Sequence, residues 1–524
     1  VSIHSRPIRR LTPQPTERGR ADCPSLRGRF QNTKELLMKK LIISLAAAFM
    51  LLSPADSSAV EVRVHGRYLW SMSFLDHMNT IDPLNREVQG SQFQAYQRLR
   101  LWFDMAVSEN LTAVLNLEVP RTLQGSLGVG GPGDEVTARE AYLSWKVPNT
   151  ESRVNMGRFW FHMPSYTFDT PILNEPIDGV MINVPLGDSH DLNVAWLRPQ
   201  AETAAWGTAH TSGSSADFGF LSLTASYENL KITPWIMGGS IGSNVFKNTL
   251  SATPGAQYNP QTPYTSYPRA AMRYGQQEGA WALGFFGDET PASGSTTVWM
   301  AGFGAELGMF DPLTVRADFY YGGNDASGGA AREGWYAALG ADLKTSAWGT
   351  PFIRGWYASG DDGGTKKSGR APVFEGMGYF NAATGFFYDN TLLCPTIINR
   401  NPNGTWGVQF GIKDLALFSP RITHQLSATW IRGNNSVTRA HYRAPEGSSK
   451  KFALAYEDSP VGYMTTADSA LVLDFITEWR LYRNLSFAPL FSYIISDFDT
   501  SEDRWGSKYD ANGFRCTLSF NYAF

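Results

Sequence analysis

The chain has 524 residues, 43% of them hydrophobic, 13% aromatic and only 18% charged, with 50 glycines and a formal net charge of −3. That balance suits many short strands with polar loops and speaks against a helical protein, and the slight acidity argues against nucleic acid as a partner. No run of 18 or more apolar residues occurs, so no single helix can cross a bilayer, and any membrane span has to be built from strands.

In chain order, residues 1–37 are rich in Arg and Pro and show no periodicity. Lys34-Glu35 can be encoded by a ribosome-binding sequence and Leu36-Leu37 by a spacer, so residues 1–37 are expected to lie upstream of the true start at Met38. Residues 38–59 have the form of an export signal: Lys39 and Lys40, an apolar core from Leu41 to Leu52, then Ser57 and Ala59 before an expected cut ahead of Val60. Removing residues 1–59 leaves 35 basic and 44 acidic side chains, a net charge of −9. The three cysteines, Cys23, Cys394 and Cys516, suggest no disulfide framework.

From Val60 onward the pattern is one of alternation. Val60, Val62, Val64, Tyr68, Trp70, Met72 and Phe74 share one parity, and Glu61, Arg63, His65, Arg67, Ser71 and Ser73 the other. Residues 93–107 set Leu99, Leu101 and Phe103 against Arg98, Arg100 and Asp104, and residues 313–321 set Leu313, Val315 and Phe319 against Arg316 and Asp318. Residues 471–481 set Leu471, Leu473 and Phe475 against Asp474, Glu478 and Arg480; the last strand sets Phe514, Leu518, Phe520, Tyr522 and Phe524 against Arg515, Thr517 and Ser519. Rows of Arg, Asp and Glu on one parity are too costly for a dry interior, so they predict a wet inner face, with Arg63, Arg67, Asp104, Arg316, Asp318, Asp474 and Glu478 lining it. The apolar parity then faces lipid.

Connections alternate between short ones, such as 108–110, 228–229, 308–312 and 482–484, and long ones, such as 76–92, 120–136, 199–216, 241–278, 361–403 and 433–467. Nineteen strand candidates emerge, an odd number for a barrel with both termini on one side. Trp281 to Phe286 breaks the rhythm and reads as part of an elaborated loop, leaving 18 strands, with 16 as the alternative. The fold class predicted is therefore an all-β, transmembrane antiparallel barrel in one domain over residues 60–524.

The terminal Phe524, preceded by Tyr522, Phe520 and Leu518, is similar to the closing strand that outer-membrane proteins present to the barrel-assembly machinery. Residues 154–186, VNMGRFWFHMPSYTFDTPILNEPIDGVMINVPL, resemble the homotrimeric outer-membrane porins of sulfate-reducing bacteria and, more loosely, general porins. The resemblance implies a homotrimer in the bacterial outer membrane, in contact with lipid and lipopolysaccharide, passing small polar solutes. It also implies that the third outer loop, residues 161–178 here, folds inward and narrows the pore. Asp169, Glu175 and Asp178 would then stand near Arg98, Arg100 and Arg158, giving a transverse field that orients dipolar solutes.

Other readings follow from the same residues. Aromatics on the inward parity, Tyr96, Trp102, Tyr142 and Tyr320, would suit a substrate-specific channel for a sugar or organic anion. A secreted soluble carbohydrate-active protein would need paired carboxylates in a cleft and no continuous lipid-facing parity. Gly238-Gly239-Ser240-Ile241-Gly242 matches a nucleophile elbow, but a long polar loop follows instead of a helix, so no catalysis is expected. The histidines lack metal-ligand spacing, and the acidic group Asp497, Asp499, Glu502 and Asp503 lacks the glycine of a calcium loop, so no cofactor or metal is expected.

Overall fold

The computed structural model describes residues 60–76, 91–123, 136–200, 213, 215–243, 245, 280–286, 294–344, 349–361, 367–384, 386–387, 401–437, 464–499 and 512–524. The expectations for residues 1–37 and 38–59 and for Cys23, Cys394, Glu502 and Asp503 lie outside them.

Backbone polar groups facing hydrocarbon have no water to bond, so a sheet can stand in lipid only when it has no free edge. This chain meets that condition with one antiparallel sheet of 18 strands. They are β1 (Glu61–Asp76), β2 (Gln92–Ser108), β3 (Leu111–Leu123), β4 (Thr137–Lys146), β5 (Arg153–His162), β6 (Asn174–Pro185), β7 (His190–Gln200), β8 (Ala216–Tyr227) and β9 (Leu230–Gly242). Then follow β10 (Ser295–Phe310), β11 (Leu313–Asn324), β12 (Glu333–Leu343), β13 (Thr350–Ala358), β14 (Thr405–Ser419), β15 (Ile422–Gly433), β16 (Ser469–Arg480), β17 (Leu485–Asp497) and β18 (Gly513–Ala523). Each strand pairs with its neighbours in sequence, and β1 pairs with both β2 and β18, which closes the ring. The expected count of 18 strands is met, and the excluded candidate Trp281 to Phe286 falls largely in a 3₁₀ helix, Ala280–Phe285.

The alternation read from the sequence is the alternation of the wall. In β1, Leu69, Ser71, Ser73 and Leu75 point inward and are buried, while Phe74 is exposed on the outside. In β11 Asp318 and Tyr320 are buried inside, and Phe319 is exposed outside. Exposed Trp299, Phe303, Trp335, Leu339, Ile353, Phe410, Leu473 and Phe491 continue the apolar outer face around the ring. Tight turns such as 228–229 and 311–312 gather at one end, and the long connections at the other.

Closure is sealed by the last residue. Phe524 and Gly66 exchange two backbone hydrogen bonds, at 2.8 and 3.0 Å. The Phe524 ring lies over Gly66, where an added Cβ would fall 2.5 Å from ring atom Cζ and 2.9 Å from the Arg100 carbonyl oxygen. Phe520 packs on Phe487 and Trp70, with ring centroids 4.7 and 5.9 Å away.

Gly66→Val is expected to displace that ring and loosen the seam. On unheated gels the compact band of the variant should convert to the unfolded position at a temperature several degrees lower than for the parent chain; an unchanged conversion temperature would mean that the seam does not depend on this contact.

Candidate functional site

The lumen is crossed by chain. The loop between β5 and β6 is closed at its neck by Met163 N–H donating to the Leu173 carbonyl at 3.0 Å. Its tip reaches strands far around the ring: the N–H groups of Tyr166 and Thr167 each donate to a carboxylate oxygen of Asp318 on β11 at 2.7 Å. The Tyr166 hydroxyl shares a hydrogen bond with Thr233 Oγ1 on β9 at 2.8 Å. Gly304 on β10 permits the approach, because a Cβ there would fall 2.3 Å from Tyr166 Cδ2. The expected inward fold of residues 161–178 is therefore the geometry found for the loop itself.

Two further segments join it. In the connection between β13 and β14, Tyr379 N–H donates to the Thr170 carbonyl at 2.7 Å, and the Met377 carbonyl accepts from Asn174 N–H at 2.7 Å. The same connection reaches the wall through Thr384 N–H to Asp474 on β16 at 3.1 Å, and through the Ala382 carbonyl, which accepts from Gln409 and Thr429. Residues 280–286 add the Gly284 and Trp281 carbonyls, which accept from Val373 and Glu375. Arg332, 1% exposed, ties the group together: its guanidinium donates to the carbonyls of Phe286, Arg370 and Ala371 at 3.1, 3.0 and 2.7 Å.

Where these segments meet, the lumen is apolar. Phe218, Phe285, Phe374, Phe380 and Phe387 are all buried to within 1% exposure. Phe168 packs between Trp356 and Phe380 with centroids 5.7 and 4.9 Å away. This corrects the expectation of a wet interior: strand-borne rings such as Phe161, Phe218 and Trp356 point inward and meet the aromatic side chains that the loops bring inside. Tyr320, expected as a possible sugar platform, is stacked on Tyr336 beneath the loop and only 3% exposed; Tyr96 is also buried, and Trp102 donates to Glu140 at 3.3 Å.

On the short-turn side of the crossing lies a polar chamber of about 460 Å³, lined among others by Arg67, Arg354, Glu478, Asn381, Gln409 and Asn521. Two charged walls stand roughly half the ring apart. On β2–β6, Arg100 pairs with Glu118 at 2.5 Å, and Arg139 reaches both Glu118 at 3.4 Å and Glu175 at 2.6 Å. On β10–β14, Asp342, its side chain 2% exposed, faces Arg316, Lys413 at 2.8 Å and Arg354 at 3.6 Å, and Arg316 also meets Glu306 at 2.6 Å. Asp169 sits on the crossing loop, accepts from Asn381 Nδ2 at 3.2 Å, and faces Arg354. Burial pushes its carboxyl above the ordinary range, and the Arg354 charge pulls it partly back.

The predicted residues divide clearly. Arg98 and Arg100 are inward and buried, and Glu175 is inward on Arg139. Arg67 donates to Asn521 at 2.7 Å in the chamber wall, Asp104 meets His65 at 3.2 Å, and Arg63 pairs with Glu61 at the exposed short-turn rim. Asp318 and Asp474 are inward as expected, but as anchors accepting loop N–H groups and not as free lining. Arg158 and Asp178 are corrections. They pair with each other at 3.2 Å on the outside of the barrel, because the inward parity of β5 and β6 is taken by Phe159, Phe161 and Ile177.

Arg139, Glu118, Asp342, Arg354 and Lys413 escaped the sequence reading. Arg139 points inward beside Glu140 only because a bulge interrupts the β3–β4 register, which alternation cannot reveal. Arg354 was within reach: Phe352, Arg354 and Trp356 alternate with exposed Ile353 and Tyr357. The string 238–242 lies within and at the end of β9, in strand and not in an elbow. Among the described residues no cluster of His, Cys, Asp or Glu could hold a metal.

No family model and no curated protein matches the chain. Solved structures of similar outline include OccK11 (OpdR) of Pseudomonas aeruginosa, 10% identical over 88% of this chain and 96% of that one, with a TM-score of 0.47. OccK2 (OpdF) of the same organism is 11% identical over 88% and 98%, TM-score 0.46. OmpT of Vibrio cholerae, an outer membrane protein in its trimer form, is 8% identical over 89% and 100%, TM-score 0.37.

Removing one member of a buried charge cluster costs on the order of 3–5 kcal/mol, because the partners stay behind uncompensated. Asp342→Ala should lower the heat-conversion temperature of the barrel markedly, and Asp342→Ala with Lys413→Ala should recover part of the loss. Equal behaviour of the single and double variants would show that the cations do not depend on this carboxylate.

Proposed function

We propose that this chain is an outer-membrane porin through which small polar solutes and ions diffuse, narrowed by the loop between β5 and β6. The observation that carries the reading is that loop's tether: a closed barrel with an apolar outer face holds a loop across its own lumen on a buried carboxylate, Asp318. A soluble all-β protein has no use for an apolar exterior around most of the ring, and a merely structural barrel has no use for a tethered crossing loop beside a polar chamber.

Within this reading residues 38–59 are the export signal, removed ahead of Val60. The resemblance of residues 154–186 to the homotrimeric porins of sulfate-reducing bacteria supports a homotrimer. The barrel-assembly machinery is the proposed reader of Phe520, Tyr522 and Phe524, whose side chains lie on the outward parity. The constriction we assign to Asp169, Tyr379 and Asn381 on the loops, set between Arg67 of β1 and Arg354 of β13. Arg98, Arg100 and Glu175 belong to the charged wall behind it. A second reading, a channel that favours organic anions, is supported by the chamber lining, where two arginines and several amides outnumber the one carboxylate Glu478.

Planar-bilayer recording tests the proposal. The parent chain should give discrete conductance steps, and Asp318→Ala, which leaves two loop N–H groups without their acceptor, should raise the step size by about half or more and add noise as the loop leaves its seat. A folded, membrane-inserted barrel that gives no steps would refute the function; steps unchanged by Asp318→Ala would refute the role of the tether.

A further inference from the structure

A lipid-facing wall must be apolar over a band about 25 Å tall. Strands rising about 3.3 Å per residue at a tilt near 40° need about ten residues to cover it. β10 does so, carrying Trp299, Ala301, Phe303, Leu307 and Met309 outward. β5 and β6 do not. From the start of β5 only Val154 and Met156 face out before Arg158, and β6 offers Val184, Ile182 and Val180 before Asp178.

Register places Arg158 opposite Asp178, and Asp178 opposite Arg198. Arg198 then grips Asp217 on β8 with two hydrogen bonds at 2.7 and 2.9 Å. The side chains of this row are 34%, 56%, 39% and 35% exposed. The residues beside them, Phe159, Ile177, Leu197 and Phe218, are buried inside the barrel, so the row lies on the outer surface. Because the strands tilt, it is not level. Asp217 stands ten residues beyond the short turn that follows β8, about 25 Å by the same geometry, whereas Arg158 stands five residues into β5, about 13 Å from its turn. The Arg158–Asp178 end of the row therefore lies near mid-depth, where charges on the lipid face are least tolerated.

We propose that this face, the outer surface of β5 to β8, is covered by a second copy of the same chain, with the charged row and the ground beside it forming the contact between subunits. The inference rests on the reading of the barrel as membrane-embedded. The row runs plus, minus, plus, minus, so it is neutral and complements itself when displaced by one position, whereas a lipid phosphate would meet two carboxylates. Beside it, outward-facing Gly219 and Gly238 leave open surface: an added Cβ would meet nothing closer than 3.8 and 3.7 Å, respectively. Trp196, 43% exposed and hydrogen-bonded to Asp217 at 3.0 Å, borders this flat ground. Four strands spaced about 4.8 Å apart and about 25 Å tall give about 480 Å² of smooth wall, and the neighbouring ground at Gly238 on β9 extends it toward the roughly 800 Å² per partner of a stable association.

Size measurement in mild detergent and unheated electrophoresis of the full chain test this. The parent should run as an oligomer that heat converts to monomer. Arg158→Asp, which stacks like charges against Asp178, should yield folded monomer that still conducts in bilayers, and Arg158→Asp with Asp178→Arg should restore the oligomer. Gly219→Trp, harmless against lipid but bulky against a neighbour, should weaken the oligomer at least tenfold in the concentration needed for assembly. A parent that is a folded, conducting monomer, or an oligomer indifferent to both Arg158→Asp and Gly219→Trp, would overturn the proposal while leaving the channel reading intact; a parent that never inserts into membranes would instead remove the reading beneath it.

Discussion

The structure depends on one constraint: backbone N–H and C=O groups cannot be left unpaired in hydrocarbon. Eighteen antiparallel strands meet it only because β1 and β18 find each other, with Phe524 and Gly66 bonded across that meeting. Once the ring is closed, the two-residue period of a strand sorts the side chains without further instruction. Most outward positions take Leu, Phe, Val or Trp and many inward ones Ser, Thr, Arg or Asp, where water or a partner must receive them; the inward rings of β5 and β8 and the outer row from Arg158 to Asp217 depart from that rule.

The inside is not simply an aqueous bore. Among the described residues three stretches of loop turn inward, and each is secured by polar groups bonded to main chain: Asp318 for the β5–β6 loop, Asp474 and Gln409 for the β13–β14 connection, and Arg332 for the place where residues 280–286 meet residues 370–371. Buried polar groups matched to backbone donors and acceptors hold a unique arrangement, since any displacement leaves them unsatisfied. Around these points aromatic rings pack together, and the passage we propose runs along the polar margin bounded by Arg67, Arg354 and the Asp169–Asn381 pair.

Much of this was legible in the sequence because it is local. Alternation at Val60 to Phe74 and at Phe514 to Phe524 identified the strands that close the ring, and the broken rhythm at Trp281 to Phe286 marked the segment that is no strand. The inward course of the loop was visible only through the resemblance of residues 154–186 to porins. What escaped depends on contacts between distant residues or on a single-residue shift of register. The porin resemblance implies Arg158 at the pore, yet Phe159 and Phe161 hold the inward parity and turn it out. Arg139 was overlooked because a bulge in β4 turns it in. Nor could alternation reveal that Asp318 serves a loop, since its partners lie some 150 residues earlier in the chain.

The central claim is that alternate side chains of one strand meet hydrocarbon and lumen. With the native cysteines replaced by serine, single nitroxide labels placed in turn at residues 298 to 305 of β10 in reconstituted membranes would report it through collisions with oxygen, which enriches in lipid, and with a water-soluble nickel chelate. The account predicts a period of two, with Trp299, Ala301 and Phe303 in the oxygen-rich phase and Val298, Met300 and Gly302 out of it; a profile without that period, or uniform access to the nickel chelate, would contradict it.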